Sequence, residues 1–363
     1  MDSNEYKLRR DDLTFSIMSY NILADELAKN HQYLYENSME SEMLRWEKRH
    51  EKLIQEIQNY DCDILCLQEV QADHFVPYFE EILQNFGYQG IYKKRTGDKK
   101  DGCAIFFKPE NLTLVDKTDI EYKQTEKGCL DRDNIGILAK FRSKDHIFCV
   151  ATTHLLYNPR RIDVKLAQIA LMLAELDKFS KIYGASSHFP IILTGDFNCT
   201  EDSEVFQLLT RGSCSSPNFL PVQLGITDSC QHYDFVANFD KDKTRLCHSE
   251  KSEKPQILEE MDPVLFGSQV LHQSFGFKSV YNPFEKPKAV TTRQNSYVMV
   301  DYIFYSRYFS KYLSKFIESN LKLLGRTSLY TAQECTEMGH LPNDKCPSDH
   351  LCLVAKFLLT RKK

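Results

Sequence analysis

Five apolar runs end in, or pass through, a polar residue whose type could do chemistry. They carry Asn21 in SYNIL, Glu69 in LCLQEV, His154 in TTHLL, Asp196 and Asn198 in LTGDFN, and Asp301 in VMVDYIF. A sixth run begins with Asp349 and His350 in PSDHL. Singly, each has an ordinary explanation. A Glu after LCLQ reads as an edge carboxylate, and Asp-x-Asn after a Gly reads as an Asx-turn closing a strand. Together they say more, because charged and amide groups against apolar strands are costly to bury unless paired or bound to a metal. Glu69, Asp196 and Asn198 offer hard oxygen donors suited to Mg²⁺, with Mn²⁺ as the alternative. His154 and His350 can donate hydrogen bonds to a phosphate. The set fits metal-assisted phosphoester hydrolysis. In that chemistry a metal polarises the phosphorus–oxygen bond, carboxylates orient a water and imidazoles offset charge in the transition state.

Such residues need a sheet to gather them at one rim. Strand-like runs fall at 15–21, 63–70, 103–108, 147–154, 190–198, 297–305 and 350–357, rich in Val, Ile, Phe, Leu and Cys. Helical spacing predicts helices over 41–60 and 163–179, the second with Leu166, Ile169, Ala170, Leu173 and Leu176 on one face and Asp163 as its N-cap. Strict βαβ alternation is absent. A layered α/β structure with mixed or antiparallel sheets is therefore expected, rather than a doubly wound parallel one.

The 363 residues fit either two domains or one large α/β domain. Hydrophobic residues at 42% and charged residues at 27% are ordinary globular values. A net charge of −5 argues against a protein coated in basic charge to grip long duplex nucleic acid. The opening MDSNEYKLRRDDLTF lacks the apolar core of a signal peptide, and no run reaches the roughly 18 apolar residues of a membrane span. The 12 cysteines form no CxxC pair, and Cys62, Cys66, Cys103, Cys149 and Cys352 lie in apolar runs as buried free thiols would. The sequons at Asn111 and Asn198 are read as chance matches. The expectation is a reduced, intracellular protein, cytoplasmic with the nucleus as a second location, with no membrane association and a monomeric state. Walker A, GxGxxG, GxSxG and HExxH patterns are absent, which removes the common NTPase, dinucleotide, α/β-hydrolase and zincin readings.

The ordered series SYNIL, LQEV, THL, GDFN, DYIF and SDH resembles the exonuclease–endonuclease–phosphatase superfamily, the group of deoxyribonuclease I and the abasic-site endonucleases. SYNILADELA, DILCLQEVQ, DGCAIFFK and RDNIG resemble its deadenylase branch, which includes nocturnin. KKRTGDKKDGCA, CLDRDNIG, THLLYNPRRIDVKLAQ and LKLLGRTSLYTAQE are similar to the Angel proteins within that branch. The resemblance implies a deoxyribonuclease I-like, four-layer α/β sandwich with two packed mixed β-sheets flanked by helices. It implies one catalytic domain over 13–363 after an N-terminal extension over 1–12, and by its composition the Ser-, Gly-, Pro- and charge-rich stretch at about 211–273 reads as a partly mobile surface insertion within that domain.

The resemblance also implies roles. Glu69 is the main Mg²⁺ ligand, Asn21 helps shape the metal site, and Asp349 is a candidate ligand for a second metal. Asp196 orients or activates the attacking water, and Asn198 contacts the scissile phosphate. His350 faces that phosphate with Asp301 holding its imidazole in one tautomer, and His154 is a second phosphate donor. For substrate binding, Arg95 and Arg160 suit a bidentate phosphate grip, with Arg161 beside them. Asn134 is expected near the phosphate, while Arg132 could equally pair with Asp131 or Asp133. Lys165 and most neighbouring lysines read as solvated.

The branch points to RNA 3′ ends. The leading expectation is hydrolysis of a terminal 2′,3′-cyclic phosphate to a free diol, because two arginines in YNPRR suit a terminal phosphate more than a stacked adenine. The alternatives are a poly(A)-specific 3′–5′ exoribonuclease, and an adaptor with weak catalysis that binds translation or mRNA-decay proteins.

Overall fold

The computed structural model describes residues 9–35, 44–124, 129–184, 187–215, 270–272, 276–282, 284–285, 288–294, 296–310 and 315–361. Its main strands are β1 (Leu13–Asn21), β2 (Ile64–Gln71), β3 (Gln89–Lys94), β4 (Asp101–Phe107), β5 (Thr113–Glu121), β6 (Ile135–Ser143) and β7 (His146–His154). They continue with β8 (Ile191–Asp196), β9 (Gly276–Ser279), β10 (Asp301–Ser310), β11 (Lys315–Glu318), β12 (Leu321–Arg326) and β13 (Leu353–Leu359). A 6-stranded sheet runs β12-β13-β1-β2-β4-β3. A 7-stranded sheet runs β9-β10-β8-β7-β6-β5, with β11 paired to β10. Each sheet is mixed. Its parallel pair is β1/β2 in the first and β7/β8 in the second, and its other ladders are antiparallel.

The sheets pack face to face over a core that draws on residues from Leu13 to Leu359. Phe15 of β1 stacks on Phe148 of β7 with ring centroids 4.5 Å apart. Gln68 of β2 donates to Thr152 Oγ1 of β7 at 2.9 Å, so a polar tie crosses the core just below the functional rim. Helix α1 (Asp25–Asn30) follows β1, and α2 (Trp46–Tyr60) covers the outer face of the first sheet. There Leu53 and Ile57 join Leu65, Leu67 and Phe106 in a second apolar cluster. Helix α3 (Ile162–Ser180) lies on the second sheet, where Gly136 leaves room for the Met172 side chain: a Cβ there would come within 2.4 Å of its terminal methyl. Helix α4 (Glu204–Arg211) is capped by Ser203, which accepts from Phe206 N, and ends at Gly212 with φ of 79°. Helix α5 (Ala332–Met338) opens with a capping box between Thr331 and Glu334. This is the four-layer arrangement expected from the motif order.

Several boundaries differ from the sequence reading, for local reasons. The helix expected over 41–60 begins at Trp46. Asp163 is not an N-cap: Arg161 holds that position, and Asp163 sits in the first turn, where it accepts from the Arg161 guanidinium. The run over 297–305 breaks, because Val300 N and Asp301 N both turn to Thr291 Oγ1, and β10 starts at Asp301. The last strand begins at Leu353 rather than at 350, which leaves His350 in a loop. Strand β5 had no apolar signature because it is an edge strand with most side chains exposed.

Of the insertion expected over about 211–273, residues 216–269 lie outside the described residues. Its two ends pair with each other, Val270↔Ser215 and His272↔Ser213. Residues 1–8 of the expected N-terminal extension also lie outside the description. The ten described cysteines, Cys62 to Cys352, are buried free thiols. Among the described residues no helix is long and apolar enough to cross a membrane.

Candidate active site

Strand register brings the polar residues to one rim. In the second sheet, His154 of β7 pairs with Asp196 of β8, and Asp196 pairs with Asp301 of β10. In the first sheet, Asn21 of β1 pairs with Gln68 of β2. Glu69 follows in a bulge, where the β2/β4 register shifts between Gln68 and Val70 and Glu69 takes φ of 58°. A bulge re-aims a side chain at a sheet edge, and a non-glycine residue at positive φ needs its surroundings to hold it there. Here the holders are visible. Glu69 Oε1 accepts from Asn21 Nδ2 at 2.9 Å, and Oε2 accepts from Ala24 N at 3.0 Å.

The Asn21 amide joins the two sheets. Its Nδ2 also donates to Asp196 Oδ2 at 3.1 Å, and its Oδ1 accepts from Leu23 N at 3.1 Å. On Asp196 the other oxygen accepts from Asn198 N at 2.9 Å, which closes the expected Asx-turn. Asn198 takes φ of 50° and donates its amide to Leu155 O at 3.1 Å. Gly195 is required before Asp196: φ is 141°, and a Cβ would lie 2.0 Å from Thr153 O on the parallel neighbour.

Two imidazoles face the same carboxylate. His154 Nε2 lies 3.5 Å and His350 Nε2 lies 3.8 Å from Asp196 Oδ2. His350 Nδ1 is 2.8 Å from Asp301 Oδ2, so the aspartate accepts from that nitrogen and Nε2 points into the site. Asp349 Oδ2 accepts from Tyr35 OH at 2.7 Å.

The electrostatics separate the two histidines. Burial pushes His154 below the ordinary imidazole value, and the nearby Asp196 only partly offsets this. Burial also acts downward on His350, but the carboxylates of Asp301, Asp349 and Asp196 outweigh it and hold the ring well above the ordinary value. The surroundings thus shift the two imidazoles in opposite directions. Asp196 is raised by burial and by the Asp301 charge. Glu69 is raised by burial first, then by Asp349 and Asp101.

A divalent cation fits these residues. Glu69, Asp349 and Asp101 crowd negative charge into a buried region, and Asp101 Oδ2 and Asp301 Oδ1 have no hydrogen-bond partner. Ligand atoms of Asp196, Asp301 and His350 also lie within 4.8 Å of one another. The bond from His350 to Asp301 makes that trio better suited to orienting an imidazole, and leaves Glu69 with Asn21 and Asp349 as the side that would hold the metal.

A profile of the Endonuclease/Exonuclease/phosphatase family matches residues 18–350, a span that contains every one of these groups. The chain belongs to the endonuclease/exonuclease/phosphatase family. Among its relatives in this family, Protein angel homolog 2 of Mus musculus is 34% identical over 391 residues, covering 97% of this chain and 70% of the relative. Protein angel of Drosophila melanogaster is 32% identical over 351 residues, covering 95% and 80%. The crystal structure of ANGEL2, a 2′,3′-cyclic phosphatase, in complex with adenosine-2′,3′-vanadate superposes with a TM-score of 0.77 at 33% identity, covering 96% of this chain and 97% of that one. The human Nocturnin catalytic domain with bound sulfate shares the fold, with a TM-score of 0.56 at 22% identity over 96% of each chain.

Not every expected substrate-binding group of this family member is free at the rim. Asn134 is buried behind it: its Nδ2 donates to His154 O at 3.0 Å and its Oδ1 accepts from Gln168 at 3.1 Å, so it supports His154. Arg95 is bound to Asp101 through Nε at 3.1 Å and through Nη2. Arg161 is held by Asp163 through Nη2 at 2.8 Å, and Arg132 lies 3.3 Å from Asp131. Arg160 is exposed, with its backbone N in an Asx-turn to Asn158. Lys165, read from the sequence as solvated, is buried and donates to Asn198 O. Its position one turn into α3 gave no signal, because the helix is covered on nearly all sides. Tyr35 was also missed: the contact to Asp349 spans 314 residues, and nothing local announces it.

Proposed function

We propose that this chain is a Mg²⁺-dependent phosphoesterase acting on RNA 3′ ends, where it hydrolyses a terminal 2′,3′-cyclic phosphate to a free diol. The observation that carries the reading is the convergence of Asn21, His154 and His350 on one Asp196 carboxylate, in a chain whose likeness to the cyclic phosphatase ANGEL2 spans nearly its whole length. Two water attacks are needed. The first opens the five-membered ring to a phosphomonoester, and the second releases inorganic phosphate and leaves both hydroxyls on the ribose. The metal, when bound beside Glu69, polarises the phosphorus–oxygen bonds and offsets their charge.

The protein's own groups do the rest. Asp196 orients the attacking water and accepts its proton through Oδ2, the oxygen nearest both histidines. His350, held by Asp301, presents Nε2–H to the phosphate, and His154 supplies a second ring N–H beside Asp196. Asn198 contacts the same phosphate from the turn after β8.

End-group analysis of two labelled RNA oligomers tests this, each with Mg²⁺ and with a chelator. One ends in a 2′,3′-cyclic phosphate; the other is a poly(A) tail with a free 3′-hydroxyl. Metal-dependent conversion of the first to a diol, with the second left at full length, is expected. Shortening of poly(A) without attack on the cyclic end would replace the reading with a deadenylase.

A further inference from the structure

Arg49 is buried to 1% exposure in α2, on the same face as Trp46, Leu53 and Ile57. A guanidinium there is costly, since burial of a charge must be offset by partners. Burial indeed depresses its basicity, against the pull of Asp349 and Asp25. Among the described residues its hydrogen-bond partners are backbone carbonyls. Nη2 donates to Leu23 O at 2.7 Å, Nη1 donates to Ile22 O at 3.0 Å and to Pro347 O at 3.2 Å, and Nε reaches Leu44 O at 3.4 Å.

These carbonyls are not scattered. Ile22 and Leu23 follow Asn21 and precede Ala24, whose N–H holds Glu69. Leu23 sits at φ of 57°, a conformation that needs external support. Pro347 precedes Ser348, Asp349 and His350. One guanidinium therefore clamps the segment that carries Asn21 to the segment that carries Asp349 and His350. Ser348 adds a parallel tie, donating to Asn21 O at 2.7 Å.

We infer that Arg49 is a positioning residue, a fixed fork that sets the distance between the Glu69–Asn21 side of the site and the Asp349–His350 side. It touches neither substrate nor metal. The planar fork suits this task, because it holds several carbonyls in one plane at fixed separation, which a lysine ammonium does not. The inference rests on the reading of this rim as a phosphoesterase centre.

The test compares wild type with Arg49→Lys and Arg49→Met in the full chain. Three quantities are read: the melting temperature, Mg²⁺ half-saturation from the metal-induced melting shift, and kcat and KM on the cyclic-phosphate RNA. Arg49→Met leaves the buried carbonyls of Ile22, Leu23 and Pro347 without their donor, so it is expected to melt below wild type, and kinetics are read per folded molecule at a temperature where the variant stays folded. A displacement of about 1 Å costs on the order of a hundredfold, so kcat is expected to fall about that much with KM held within about threefold. Mg²⁺ half-saturation rises at least about fivefold, and Arg49→Lys falls between. Unchanged kcat and Mg²⁺ response per folded molecule would overturn the inference. So would failure of both variants to fold, which would make Arg49 structural. If wild type left the cyclic-phosphate RNA intact, the substrate reading would fail, and the Mg²⁺ response would still decide the role of Arg49.

Discussion

His350 Nδ1 lies 2.8 Å from Asp301 Oδ2, although 49 residues separate the two in the chain. The contact joins the loop before β13 of one sheet to the first residue of β10 of the other. It is therefore a link across the two packed sheets, made at the rim where the remaining polar groups converge. Its consequence is chemical. With Nδ1 fixed as a donor to Asp301, Nε2 carries the proton that faces Asp196 and any phosphate bound there.

Replacing Asp301 by Asn removes the charge and offers the wrong partner in one of its two orientations. Asp301→Asn is expected to lower kcat about 10²- to 10⁴-fold. KM should change little, because the imidazole stays in place. Steady-state kinetics checks this alongside a melting curve.

Glu69 is the carboxylate placed by the β2 bulge for a metal. Glu69→Gln keeps the shape and loses the charge. It is expected to abolish the Mg²⁺-induced rise in melting temperature and to lower turnover at least about a hundredfold. A variant that kept the full metal-induced shift would move the metal to Asp196, Asp301 and His350.

Gly195→Ala tests the backbone beneath Asp196. The added Cβ would lie 2.0 Å from Thr153 O at φ of 141°, and backbone cannot yield as a side chain can. A loss of about 3 kcal/mol or more is expected from denaturant unfolding. An alanine variant of unchanged stability would mean that the β7/β8 pair shifts freely.

Away from the site, Glu56 accepts from Tyr20 OH at 2.9 Å and from Cys352 Sγ at 3.2 Å. Burial raises its carboxyl above the ordinary value, more than these bonds lower it. The folded state thus holds this proton more tightly than the unfolded one. Stability contributed by the protonated form is full below the unfolded pKa and is lost as pH rises to the raised folded pKa. Glu56→Gln is expected to flatten that fall, so the variant gains on wild type as pH rises through and above the ordinary carboxylate range. Melting curves across this range check it, and parallel curves for the two proteins would refute it.

The six polar motifs were legible in the sequence because strand ends have a local signature: an apolar run followed by a carboxylate, amide or imidazole. The same signal placed β1, β2, β4, β7 and β8; the mixed order of elements led to a layered α/β structure, and the family resemblance supplied the two packed mixed sheets. Residues whose importance depends on a distant partner were not legible. Tyr35 meets Asp349 across 314 residues, and Lys165 meets Asn198 from a helix buried on nearly all sides. Arg95 and Arg161 look in sequence like cations for a phosphate, yet the fold pairs each with a nearby carboxylate, and of the two partners open to Arg132 it brings Asp131 close. Arg49 did leave a trace, a basic residue within an apolar helical stripe, but only the tertiary structure showed which carbonyls it holds. Sequence by itself determined which chemical groups stand at the strand ends, since that follows from local pattern. The packing of one sheet on the other decided which of them meet, because contacts such as Asn21 to Asp196 and Asp301 to His350 exist only when both sheets are in register.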